Sequence, residues 1–157
     1  AVEKGLQDSM LKGAAGFPMI SLEADLYDGS YHDVDSDELS FKTAAQIAYK
    51  KCLEMAAPVL LEPVGDMFVT IPDALVGDIM GDVNKRRGSV MGMNPAEGKP
   101  GYTVVEAVAP KSELVSYPID LRAMSQGRAS FEFEVTGYDV VPANIAQKVI
   151  DENKKAE

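Results

Sequence analysis

The chain has 157 residues, 46% of them hydrophobic, which supports one or two modest cores; no apolar run approaches the roughly 20 residues that a membrane span needs. A single cysteine, Cys52, excludes an internal disulfide and a cysteine-based zinc site, and no basic-then-apolar segment of the secretory kind opens the sequence. The net charge of −10 opposes broad attraction to nucleic acid but is uneven: residues 1–71 carry 5 basic and 12 acidic groups, residues 72–128 carry 7 of each, and residues 129–157 carry 3 and 6. The middle of the chain therefore repels a phosphate backbone least, and the whole fits a soluble, cytoplasmic protein.

Val2, Leu6 and Met10 predict a short amphipathic helix that stops at Gly13, with Gly16 and Pro18 in the following turn. Residues 19–27 alternate, with Ile20, Leu22, Ala24 and Leu26 on one side, and predict a strand covered on one face. Phe41, Ala44, Ala45, Ala48, Cys52 and Met55 then fall at helical spacing opposite Lys42, Gln46 and Lys50, and Pro58 closes that helix. From Val64 the rhythm is strand, helix, strand, strand, helix, strand. Met67, Val69 and Ile71 alternate; Pro72 opens a helix with Val76, Ile79, Met80 and Val83 as its buried stripe and Gly88 as its end. Gly77 and Gly81, on successive turns, are expected to let this helix approach the sheet closely.

Two short strands follow, at residues 89–93 and 102–109, joined by a hairpin containing Pro and Gly. Leu114, Tyr117, Leu121 and Met124 mark a second helix, which Pro118 confines to a start near Ser116 and Gly127 ends. Phe131, Phe133 and Val135 alternate in a last strand, and Pro142 opens a final helix with a frayed end. This order predicts an α+β chain: a βα portion over residues 1–63, then over residues 64–157 a ferredoxin-like βαββαβ domain with a C-terminal helix. Its four-stranded antiparallel sheet carries two helices on one face.

The stretch YDGSYHDVDSDE, residues 27–38, holds the only histidine and five carboxylates. As a calcium loop it fails, because the sixth position from Asp33 is Glu38 rather than Gly and the twelfth is Ala44 rather than a carboxylate. One histidine among surface carboxylates is also a poor transition-metal set. Asp35 and Glu38 have capping-box spacing for the next helix, and the acids of its first turn suit the positive helix end. That leaves Gly29, Ser30, Tyr31, His32 and Asp33, which the residues alone leave open between a contact surface and an ordinary turn. The histidine has no nucleophile or orienting partner at fixed spacing, so no catalytic residue and no metal ligand is named.

Several motifs together resemble a known family. The run LYDGSYHDVDSDELSFKTAAQIAYKKC with APVLLEPV is similar to the fourth domain of bacterial elongation factor G, and VGDIMGDVNKRRGSVMGM with DLRAMSQGRASFEFEV is similar to its fifth domain. The resemblance runs from about Val2 to Ile150. It implies a C-terminal piece of a translational GTPase: most of a fourth domain of the ribosomal-protein-S5-like kind over residues 1–63, lacking its first strands, and the fifth domain over residues 64–157. GTP and Mg²⁺ belong to the parent protein, and no G-x-x-x-x-G-K-[ST] stretch stands in this chain.

By the same resemblance Ser30, Tyr31, His32 and Asp33 form the tip that enters the decoding centre of the small ribosomal subunit and meets tRNA and mRNA during translocation. Lys85, Arg86, Arg87, Arg122 and Arg128 become contacts to large-subunit rRNA. Partners are then the ribosome, tRNA and mRNA, with no membrane and no DNA. The chain departs from the family at Leu114, Val115, Ser116, Tyr117, Pro118 and Ile119, where Met-Phe-Gly-Tyr, a small residue and Thr are usual. Two alternatives accompany this reading: a free-standing RNA-binding or interaction protein built from the same modules, and a paralogue that acts in ribosome recycling.

Overall fold

The computed structural model describes residues 1–156, and the chain divides into two compact units, Ala1–Val59 with the segment from Pro142 onward, and Leu60–Val141.

In the first unit, α1 (Val2–Met10) packs along α2 (Glu38–Ala56). The approach is close because residue 5 is glycine: a Cβ there would stand 2.6 Å from the Lys42 carbonyl oxygen. Lys4 to Glu38 and Lys42 to Asp8 tie the two helices at their rims. The stripe that α2 buries is Ala45, Tyr49 and Leu53; of the predicted stripe Ala45 is buried and Phe41 half-buried, while Ala44, Ala48 and Cys52 are exposed and Met55 is 88% exposed. The helix is apolar on two sides, and α1 covers only one of them, so periodicity alone did not select the right side. Ala57 takes a left-handed conformation (φ 48°) and Pro58 follows, which ends α2 as predicted.

Residues 19–27 are not a strand. The chain leaves α1 through a turn in which the Gly13 N–H donates to the Phe17 carbonyl and the Met19 N–H to the Met10 carbonyl, then runs irregularly, with Ile20 48% and Leu26 72% exposed. Alternation marks a side-chain pattern, but a strand exists only where a neighbouring backbone takes its hydrogen bonds, and among the described residues of this unit there is none. The last helix, α5 (Ala143–Ala156), belongs to this unit, where the Asn153 amide donates to the Ala15 carbonyl oxygen; it runs to Ala156 instead of fraying early.

The second unit follows the predicted order: β1 (Leu61–Pro72), α3 (Val76–Lys85), β2 (Ser89–Pro95), β3 (Tyr102–Pro110), α4 (Tyr117–Ser125) and β4 (Ser130–Val140). The strands form one antiparallel sheet in the spatial order β2-β3-β1-β4, the ferredoxin-like arrangement. Met67, Val69 and Ile71 of β1 and Val105, Ala107 and Ala109 of β3 point to one face and meet Ile79 and Val83 of α3 and Leu114, Tyr117 and Leu121 of the α4 region. Ser116 precedes α4 and Pro118 falls in its first turn, where the missing N–H costs no helical bond.

Two glycines play roles other than the predicted ones. Gly77 and Gly81 face open space, because they lie on the side of α3 away from Ile79 and Val83. Gly65, unremarked in the sequence, sits at the β1–β4 bulge, where a Cβ would lie 2.0 Å from the Glu134 carbonyl oxygen.

Candidate nucleic-acid interface

Residues 32–36 form a hydrogen-bonded turn just before α2. The His32 N–H donates to the Ser36 hydroxyl at 2.8 Å, and the His32 carbonyl accepts from Ser36 N–H at 3.0 Å and Asp35 N–H at 3.4 Å, so the backbone of the only histidine closes the loop. Because residues 33–35 make that turn, the helix begins later than expected. Asp37, in an extended conformation, is the cap, accepting from the Ser40 N–H at 2.7 Å, and the Ser40 side chain first, with that backbone N–H second, holds its carboxyl below the ordinary range. The predicted Asp35–Glu38 capping box is thus replaced by Asp37 and Ser40, and Glu38 turns to Lys4. The imidazole of His32 is exposed, as are Ser30 and Asp33, and the Tyr31 ring stands parallel to Phe41 with centroids 6.5 Å apart. These groups all face solvent, and the acidic residues Asp28, Asp35 and Asp37 beside them in the chain are exposed as well.

In the second unit the five basic residues singled out from sequence separate into two groups. Arg86 donates to Asp82 through Nε at 2.7 Å, to Asp120 through Nη2 at 2.6 Å and to the Glu113 carbonyl at 2.9 Å, and lies 5.0 Å from the centre of the buried Tyr117 ring. Arg87 makes a two-pronged bond to Glu62 at 2.6 and 2.9 Å and a third, to Glu113, at 2.8 Å. Hydrogen bonding to Glu62 raises the Arg87 pKa, and the same bonds lower that of Glu62, a residue only 8% exposed. Arg86 and Arg87 therefore lock the end of α3 to β1 and to the α4 region. Lys85, Arg122 and Arg128 take no part in an ion pair among the described residues and are exposed; Arg128 donates through Nε to the Ser125 carbonyl at 3.1 Å, just past the end of α4.

Sequence reasoning missed the carboxylate partners, because Glu62, Glu113 and Asp120 lie 25 to 34 residues from the arginines they hold. The only available signal was that Arg86 and Arg87 end a helix whose neighbours in a split βαβ fold are β1 and the second helix. Among the described residues no group of three or more His, Cys, Asp or Glu is placed to hold a metal ion. No helix among them is long and apolar enough to cross a membrane.

Comparison with known proteins matches residues 1–57 to elongation factor G, domain IV, and residues 59–149 to the elongation factor G C-terminus. A crystal structure of a protein from Thermus thermophilus is similar at a TM-score of 0.86 and 38% sequence identity, over 98% of this chain and 23% of that one. The chain thus spans about a quarter of the solved protein it matches. With both matches in order along one chain, and a ferredoxin-like sheet where the second of them lies, the chain belongs to the elongation factor G family and carries its C-terminal part.

Proposed function

We propose that the chain is the ribosome-binding C-terminal part of a cytoplasmic translational GTPase that promotes movement of tRNA and mRNA. The observation that carries this is the order of the two family matches, domain IV before the C-terminal domain, with an ordered, solvent-facing turn around His32 in the first. Ser30, Tyr31, His32 and Asp33 are the tip that enters the decoding centre. An imidazole can stack on a base or ribose and donate to a phosphate oxygen, while the surrounding acids limit indiscriminate backbone binding. Lys85, Arg122 and Arg128 are the rRNA contacts of the second unit, and Arg86 and Arg87 hold the helices that present them. The action is mechanical: GTP is hydrolysed by another domain of the parent, and the tip occupies space that the tRNA vacates.

The test is made in the full-length factor, by single-turnover translocation measured with GTP hydrolysis and ribosome binding at two salt concentrations. His32→Ala should slow translocation and leave binding and hydrolysis largely intact. Arg122→Ala and Arg128→Ala should weaken ribosome binding and lessen its salt dependence, since each removes a charge that displaces counterions. Loss of binding with normal translocation in His32→Ala would make the histidine a docking residue and overturn the reading.

A further inference from the structure

The stretch between α1 and α2 has little backbone support until it reaches His32. From Ile20 to Tyr31 the backbone makes one hydrogen bond among the described residues, from the Gly29 N–H to the carboxylate of the neighbouring Asp28. At His32 this changes: its N–H donates to the Ser36 hydroxyl at 2.8 Å, and its carbonyl oxygen accepts from the Ser36 N–H at 3.0 Å. One residue thus satisfies both backbone groups of the histidine. Ser36 is itself held, because the next residue, Asp37, caps α2 by accepting from the Ser40 N–H at 2.7 Å.

Two further features bear on the same histidine. From Glu23 to Ser40 every residue is exposed except Ser36, which is half-buried, so its hydroxyl is partly screened from the water that competes for a surface hydrogen bond. On the other side, the Tyr31 ring lies parallel to Phe41 of α2, with centroids 6.5 Å apart. The residue before His32 and the His32 backbone are therefore both tied to the start of α2. Fixing a backbone fixes the direction of its Cα–Cβ bond and limits the side chain to a few rotamers about it. An imidazole on a slack loop has to be ordered at the moment of contact, at an entropic cost that one held in advance avoids.

We infer that Ser36 is the positioning residue for His32: by accepting the His32 N–H, its hydroxyl presents the imidazole in a fixed direction from the start of α2. The inference rests on the reading of Ser30, Tyr31, His32 and Asp33 as the tip, and adds the group that holds the histidine of that tip in place.

The test is a double-mutant cycle in the full-length factor, with Ser36→Ala, His32→Ala and the two combined, and with Ser36→Thr as the conservative variant. Ser36→Ala should slow single-turnover translocation about fivefold, the change in population that one ordinary hydrogen bond controls, with ribosome binding and GTP hydrolysis at parent levels. Ser36→Thr keeps a hydroxyl that can accept the same N–H and should restore the rate. In the His32→Ala background, Ser36→Ala should add no further loss, since a residue that acts only through the imidazole has nothing left to position. Hydrogen exchange at the residue 32 amide should quicken by about fivefold in Ser36→Ala and stay at the parent rate in Ser36→Thr.

A parent rate of translocation in Ser36→Ala, beside a slow His32→Ala, would overturn the inference and leave the tip reading intact. Additive losses in the combined variant would also overturn it, because Ser36 would then act without the histidine. If His32→Ala itself translocates normally, the tip reading fails, and the positioning role falls with it.

Discussion

Replacing Arg87 by methionine tests the assignment of this arginine to the interior of the fold instead of to a ligand. Methionine keeps an aliphatic stem and, like arginine, carries a Cβ at φ 58°, so backbone strain is the same in both proteins. What is lost is the two-pronged bond to Glu62 and the bond to Glu113; Glu62, with an 11% exposed side chain, keeps only the Ser112 hydroxyl at 3.0 Å. Breaking a buried pair from one side costs about 3–5 kcal/mol, and the 24% exposure of the Arg87 side chain places this site at the lower end, about 3 kcal/mol. For a domain of this size that lowers the thermal midpoint by roughly 12 °C or more. Circular dichroism during urea and thermal unfolding measures it. Adding Glu62→Gln removes the stranded charge and should recover about 1–2 kcal/mol. If Arg87→Met lies within about 1 kcal/mol of the parent chain, or if the second change brings no recovery, the lock is not structural and the guanidinium is free for a phosphate.

Acid should weaken the same lock. The Glu62 pKa is depressed in the folded state by its bonds to Arg87, so its stabilisation is complete above the ordinary value of 4.5 and is lost as pH falls through the lower folded value; unfolding free energy measured against pH should lose part of its acid limb in Glu62→Gln. Asp120, lowered by its bond from Arg86, acts with the same sign below its ordinary 3.8. Gly65→Ala places a methyl 2.0 Å from the Glu134 carbonyl oxygen, a backbone atom that cannot swing aside, and should cost about 3 kcal/mol in urea unfolding; a loss under about 1 kcal/mol would show that the bulge can open. Asp37→Ala should reduce α2 helicity and its thermal midpoint, and Asp37→Asn should restore most of both, since either side chain can accept from the Ser40 N–H; equal effects of the two would rule out the cap.

The sequence by itself determined the second unit almost completely. Period-2 runs at Met67, Val69 and Ile71 and at Phe131 and Phe133, with a 3.6-residue stripe at Ile79 and Val83, describe residues that each bury one face against the others. Their pattern and their partners lie within the same segment. The family was legible for a related reason, since motifs such as DLRAMSQGRASFEFEV keep helix, glycine stop and strand in fixed order. Tertiary structure decided the rest, wherever the answer depends on a neighbour that the local pattern does not contain. Residues 19–27 alternate like a strand but have no backbone beside them among the described residues; α2 is apolar on two sides, and α1 fixes which is buried. The basic cluster at residues 85–87 reads as three equivalent cations, yet two guanidiniums are held by carboxylates some 25 to 34 residues away and the lysine is not. A charge in sequence is an isolated quantity. Its availability to a ligand is set by the opposite charges that folding brings within hydrogen-bonding distance.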